Sequence, residues 1–266
     1  MQVLVVGDLH LHDDHSPVTV PDSWNEYDAI ILVGDLLDAR ATTTAPADRF
    51  LSQLAVRAPP VLAVPGNHDY QRFQELVADY ESIHNLHQTS HQLNGYSFYG
   101  QGATQFDAGP AVRYPHTDAF DTDSYHDLRR AIDRAARPHT TTHPSSSGVH
   151  TQLSAYRARL RALANTANGC TQPRILVSHL PPFNSRLDTL APTHPRYPNK
   201  PWGSLAIRTH LETHTVTAVL SGHIHEAAGT TTIGDTACLN AGLDTSYTAT
   251  FATTTDPVIT HNSTLD

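Results

Sequence analysis

Lysine is nearly missing from this 266-residue chain. Lys200 stands alone, and the rest of the 17 basic residues are arginine. Acidic residues number 26, so the formal net charge is −9. So acidic a chain is not an obvious electrostatic partner for nucleic acid or an anionic membrane. Cysteine is equally scarce. Cys170 and Cys238 can build neither a disulfide framework nor a four-thiolate zinc site. No apolar run approaches the ~18 residues of a transmembrane helix. Met1 is followed directly by QVLVVGDLH, without a basic stretch leading into a long apolar one. No signal peptide is therefore expected, and the expected compartment is the cytoplasm. Neither GxxxxGK[ST] nor GxSxG occurs, which excludes a P-loop NTPase and a serine-hydrolase elbow.

Histidine, in contrast, occurs 19 times. Asp outnumbers Glu, and Thr is abundant. A GC-rich genome and a salt-adapted host would both leave this signature. Hydrophobic residues make up 39%, enough for a core. The length suits one large domain, and a single domain over residues 1–266 is expected.

Five short apolar runs read as buried strands. They are Val3 to Val6, Asp28 to Val33, Val61 to Val64, Ile175 to Val177 and Val216 to Leu220. Helical spacing predicts helices over Pro46 to Val56, Phe73 to Tyr80, Asp123 to Arg137, Gln152 to Ala164 and Leu205 to Glu212. The low-complexity stretch Pro138 to Val149 predicts an exposed, flexible loop. The Thr-rich segment from Gly229 onward alternates apolar and polar residues and predicts several antiparallel strands.

Each of the five runs stops at polar residues able to do chemistry. The first ends in Asp8-Leu9-His10, the second in Gly34-Asp35-Leu36-Leu37-Asp38, and the third in Gly66-Asn67-His68-Asp69. The fourth ends at His179 and the fifth in Gly222-His223-Ile224-His225. Singly, such motifs are common as caps, turns or surface histidines. Together, five strand ends carrying carboxylate, amide and imidazole point to one shared site at the carboxyl edge of an α/β sheet. That donor set suits Mn, Fe, Zn or Mg, with no thiolate involved. The glycines let the backbone turn sharply there.

The order DxH, GDxxD, GNHD, H, GHxH resembles the calcineurin-like metallophosphoesterase superfamily over Asp8 to His225. SHLPPFNSRLD (Ser178 to Asp188), GSLAIR (Gly203 to Arg208) and GHIHE (Gly222 to Glu226) are similar to the Icc-related predicted phosphoesterases. The second motif, GDLLDAR, departs from the GDxVDRG of the Ser/Thr protein phosphatases. The chain is also too short for the extra DNA-capping domain of the double-strand-break nucleases.

The resemblance implies an α/β fold, a four-layer α/β/β/α sandwich of two mixed sheets. It implies two divalent metal ions, with Mn²⁺ foremost and Fe, Zn or Mg as alternatives. Asp8, His10 and His225 would bind the first, and Asn67, His179 and His223 the second, with Asp35 bridging. Two cations about 3.5–4 Å apart need such a shared anion to offset their repulsion. His68 would contact the phosphate and protonate the leaving oxygen, as an imidazole titrating near neutrality can. Asp38 would orient His68 through a hydrogen bond, its plainer alternative being a helix-capping acid.

The implied reaction is hydrolysis of a phosphodiester or phosphomonoester by a bridging hydroxide, with a small phosphodiester preferred by family analogy. A nuclease is the first rival and would need a basic groove. Arg129, Arg130, Arg134, Arg137, Arg157, Arg159 and Arg161 are its candidates, although two solvated helix faces are the favoured explanation in so acidic a chain. A non-catalytic metal-binding scaffold is the second rival, and the complete ligand set speaks against it. His12 and Asp13 follow the first motif closely and could touch substrate, although a solvated surface position is the favoured reading of His12.

Overall fold

The computed structural model describes residues 1–14, 16–103, 146–195, 198–199, 201–252 and 255–264. The expected helix over Asp123 to Arg137 and the arginines at 129, 130, 134 and 137 lie outside them. So do residues 138–145 of the expected loop. The rest of that stretch, Ser146 to Val149, is helical.

Two mixed six-stranded sheets carry the chain. The first contains β1 (Gln2–Val6), β2 (Ala29–Leu32), β3 (Val61–Ala63) and β4 (Ile83–Asn85). These four run parallel in that order. The second contains β5 (Ser90–Leu93), β6 (Tyr96–Gln101), β7 (Arg174–Ser178) and β8 (Ala218–Ser221). Here β6, β7 and β8 are parallel, and β5 closes one edge antiparallel.

The expected C-terminal strands divide between the sheets. β9 (Gly229–Ile233) and β10 (Thr236–Asn240) join the second. Only part of that pairing is antiparallel, because β10 also lies parallel to β8. β11 (Thr245–Ala252) and β12 (Thr255–Thr264) join the first, antiparallel to β1 and to each other. The chain from Gly229 onward therefore completes both sheets.

Side-chain alternation explains the layering. Val3 and Val5 of β1 face inward to meet Ile175 and Val177 of β7 and Leu220 of β8 in the middle core. Leu4 and Val6 face the opposite way, against Phe50, Leu51 and Leu54 of α1 (Ala45–Arg57) and Phe73 and Leu76 of α2 (Tyr70–Val77). On the far side, Leu176 and Val219 pack against Leu163 and Ala167 of α3 (Ser146–Asn168) and Ala206 and Ile207 of α4 (Leu205–Thr213). Helix, sheet, sheet, helix is thus the order of layers. Strands covered on both faces read as unbroken apolar runs. Each fully buried Leu or Phe contributes roughly 1.5–3 kcal/mol.

β4, β5 and β6 went unpredicted. β5 (SHQL) is half polar, and β6 (YSFYGQ) hides its strand character behind Ser97, Gly100 and Gln101, although all six positions are buried. The helix expected from Phe73 begins earlier, at Tyr70, and ends at Val77.

Candidate metal centre

The turns after β1, β2, β3, β7 and β8 converge at one edge of the sandwich. Asp8, Asp35 and His179 form a buried floor, and His10, Asn67, His68, His223 and His225 form a half-buried rim. Every metal-ligating candidate of the sequence reading is brought to this place.

Backbone geometry is unusual there. His10, Asp35 and His223 have φ of 45°, 48° and 76°, the left-handed region that costs a non-glycine residue energy. Hydrogen bonds hold them. Asp35 O accepts the N–H groups of Leu9 and His10 at 3.1 and 2.9 Å, and Asp8 Oδ2 accepts His223 N–H at 2.8 Å. A Cβ on Gly66 would strike the Asp35 carboxylate, and one on Gly222 would strike Asp8. These glycines are what let the carboxylates approach the neighbouring turns.

One group forms around Asp8, His10 and His225, whose ligand-type atoms lie within 4.8 Å of one another. His225 Nε2 is 3.2 Å from Asp8 Oδ2 and 3.3 Å from His10 Nε2. A second group joins Asp35, His179 and His223 within the same span. His179 Nε2 is 3.3 Å from Asp35 Oδ2, 3.1 Å from His223 Nδ1 and 3.0 Å from Asn67 Oδ1. Its Nδ1 meets Val33 O at 2.9 Å, so a backbone carbonyl turns Nε2 toward the cluster. A third group, His10, Asp35 and His68, overlaps both within the same span, and Asp35 Oδ2 faces His10 Nε2 at 3.7 Å between the first two.

This donor set fits divalent metal. Imidazole nitrogens face one another and carboxylates instead of ordinary donors, and buried Asp8 Oδ1 has no hydrogen-bond partner. Charges agree. Burial lowers His179, but Asp35 and Asp8 outweigh it and raise the imidazole to about 10. Burial raises Asp35, and His179 more than reverses this, leaving the carboxyl below its ordinary range. The negative field that favours a proton on His179 also favours a metal cation. Burial, then the His179 charge, drives His223 well below its usual value. His10 is lowered chiefly by burial. His225 is raised, because its bond to Asp8 overcomes burial.

Asp38 does something other than expected. Its carboxylate binds Arg40 Nε at 3.0 Å and faces His10 Nδ1 at 3.7 Å. His68 Nδ1 instead accepts the Ala39 N–H at 3.1 Å. The expected Asp38–His68 bond is thus replaced by a backbone donor one residue on, while Asp38 stands behind His10. The Arg40 hydrogen bond holds the Asp38 carboxyl down at about 2. Asp13 is also committed elsewhere, accepting Thr42 N–H at 2.8 Å and both the Thr42 and Thr43 hydroxyls at 2.6 Å.

The family model for calcineurin-like phosphoesterases matches residues 1–227. The chain belongs to this family. No curated protein matches the chain. As a calcineurin-like phosphoesterase it is a metal-dependent hydrolase of phosphate esters, and these three overlapping Asp/His groups are where metal could be held. Among the described residues, no helix is long and apolar enough to cross a membrane.

Sequence reasoning gave Asp69 no role in this phosphoesterase. Its buried carboxylate accepts Gly66 N–H at 2.7 Å and the N–H groups of Leu36 and Leu37 at 2.7 and 3.3 Å. It ties the turn bearing Asp35 to the turn bearing Asn67. Asp69 is also the N-cap residue of α2 but makes no side-chain cap bond, because its oxygens are used by those turns. Burial and the nearby Asp35 carboxylate push its carboxyl up to about 7, against the N–H groups that favour the anion. Of the nuclease candidates within the described residues, Arg157 and Arg161 are exposed and Arg159 is half-buried on α3.

Proposed function

We propose that this phosphoesterase works through two divalent ions, Mn²⁺ foremost. Asp8, His10 and His225 would hold one, and Asn67, His179 and His223 the other, with Asp35 shared. The observation that carries this reading is the position of Asp35 Oδ2, 3.7 Å from His10 Nε2 on one side and 3.3 Å from His179 Nε2 on the other. A shared carboxylate there offsets the repulsion between two cations. Bound ions would supply Lewis acidity toward phosphoryl oxygens and acidify a water for in-line attack.

The chain's own residues complete the chemistry. His68 Nδ1 is occupied by the Ala39 N–H, which leaves Nε2 to donate a hydrogen bond to a phosphoryl or leaving-group oxygen. Asp38 steadies His10 from behind, as a carboxylate behind a metal-binding imidazole does. With two ligating carboxylates against two dications, the centre keeps positive charge and attracts phosphate. A small phosphodiester is the preferred substrate, on family analogy, and the cytoplasm the preferred compartment.

The test is hydrolysis of bis-p-nitrophenyl phosphate and p-nitrophenyl phosphate by metal-stripped protein with and without added Mn²⁺. Activity restored by Mn²⁺, and higher on the diester, is the expected result. Preference for the monoester would overturn the substrate assignment. Saturation of activity at one ion per chain would overturn the two-ion reading.

A further inference from the structure

We infer that Asn240 is a positioning residue for the Asp8–His10–His225 side of the metal centre, an inference that rests on the two-ion reading above. Asn240 ends β10 and lies beyond the residues matched by the family model. Its side chain is fully buried. In register it sits beside Ser221 of β8, just before the turn that carries His223 and His225.

Its amide is used at both ends. Nδ2 donates toward Ile224 O at 2.7 Å and Ala227 O at 3.1 Å, the carbonyls that flank the short turn bearing His225. Leu187 O, at 3.0 Å, is a third acceptor. Oδ1 accepts Gly242 N–H at 3.1 Å, and Gly242 O in turn accepts Asp8 N–H at 2.8 Å. Asp8 O then accepts Asp244 N–H at 2.9 Å. One buried amide therefore sets the His225 turn through its nitrogen and the Asp8 turn through its oxygen. These two ligands are far apart in sequence, and their 3.2 Å approach depends on both turns.

The residue type follows from the task. Carbonyls on one side require a donor, and an N–H on the other requires an acceptor. An amide offers two donors and a separate acceptor where a hydroxyl has a single donor, and Gln would be one methylene too long for this fully buried position. Gly242, at φ 74°, supplies the left-handed step that brings its carbonyl under Asp8. Asn240 itself bonds to no residue of the second group, and only Asp8, which accepts the His223 N–H and faces His179 Nδ1 at 3.9 Å, connects it there, so the larger effect should fall on the Asp8–His225 side.

Metal-free protein titrated with Mn²⁺, with free ion followed by electron paramagnetic resonance, tests this. His225→Ala and His179→Ala identify which binding step belongs to which group. In Asn240→Ala, shown to be folded by circular dichroism, the step lost in His225→Ala should weaken at least tenfold. The step lost in His179→Ala should stay within twofold. Unchanged affinities, or equal weakening of both steps, would overturn the inference. If Asn240→Ala does not fold, the isosteric Asn240→Asp is judged by the same criteria, since it turns an oxygen toward the three carbonyls. Failure of both variants to fold would assign Asn240 to stability alone and overturn the positioning role. A wild type that binds one ion would sink the two-ion reading separately, and Asn240 would then stand or fall on whether His225→Ala and Asn240→Ala weaken that ion together.

Discussion

The Asp69 carboxylate accepts the Leu36 N–H at 2.7 Å, and so joins the turn after β3 to the turn after β2. Removing it would leave three buried N–H groups unpaired. Asp69→Ala is expected to destabilise the protein by about 3 kcal/mol, on the scale of a buried charged acceptor lost from several donors. Urea unfolding of metal-free wild type and variant measures it. A loss below about 1 kcal/mol would show that solvent replaces the carboxylate easily.

Asp35→Asn keeps the shape of the proposed shared ligand and removes its charge. Mn²⁺-dependent hydrolysis should fall at least about a hundredfold, and the number of tightly bound ions should drop. Element analysis of the dialysed protein, beside the ester assays, gives both quantities. Full ion content together with wild-type activity in Asp35→Asn would remove the need for a shared anion.

His68→Ala should lower kcat by roughly 10²–10⁴, the usual range for a lost acid or hydrogen-bond donor, while Mn²⁺ binding stays near wild type. The deficit should grow as the leaving group becomes a poorer one, from p-nitrophenolate to phenolate, because a poor leaving group needs more help at its oxygen. Equal deficits across the leaving groups would move His68 from the leaving oxygen to the non-bridging phosphoryl oxygens.

His210 offers a pH prediction away from the metal centre. It is fully buried on α4, bonded through Nε2 to the Tyr99 hydroxyl at 2.9 Å and stacked on His214 at 4.2 Å. Burial, followed by the His214 and Arg174 charges, lowers its folded pKa to about 3, against an ordinary value of 6.5. Between those values the unfolded chain binds the extra proton. Stability is therefore complete above about pH 6.5 and is lost as pH falls toward 3, by up to about 1.4 kcal/mol per unit. Denaturant midpoints from pH 7 to pH 4 should show this slope. In His210→Gln, which keeps a partner for Tyr99, the slope should be shallower. An identical slope in both proteins would assign the acid sensitivity to other groups.

How far the sequence could be read follows from where its signals are local. β1, β2 and β3 are covered by layers on both faces, so they had to be apolar throughout and showed as continuous runs. Ligand-type residues at their ends showed because they recur at five strand ends, whereas caps and turns account for them only singly. β6 did not show, since burial between Ser97 and Gln101 is granted by its neighbours and not by its own composition. Asp38 was assigned to His68 by motif position, yet a side chain only three residues from Asp35 can swing to His10 and Arg40, and there it lies.

The sequence motifs thus pointed to the candidate donors, to the order in which strands deliver them, and to the family whose model the chain matches. Which donors meet was a matter of folding in three dimensions. Asp8 and His225 approach across nearly the whole chain, and only the alignment of two sheets brings their turns to 3.2 Å. The left-handed backbone at His10, Asp35 and His223 is likewise imposed from outside. Asp and His enter that region more readily than most residues, but it still costs energy there, and the surrounding hydrogen bonds must outweigh that cost. Asn240 and Asp69 carry no motif of their own role for the same reason. Their partners are backbone groups, which every residue possesses, and their task exists only once distant turns have been packed together.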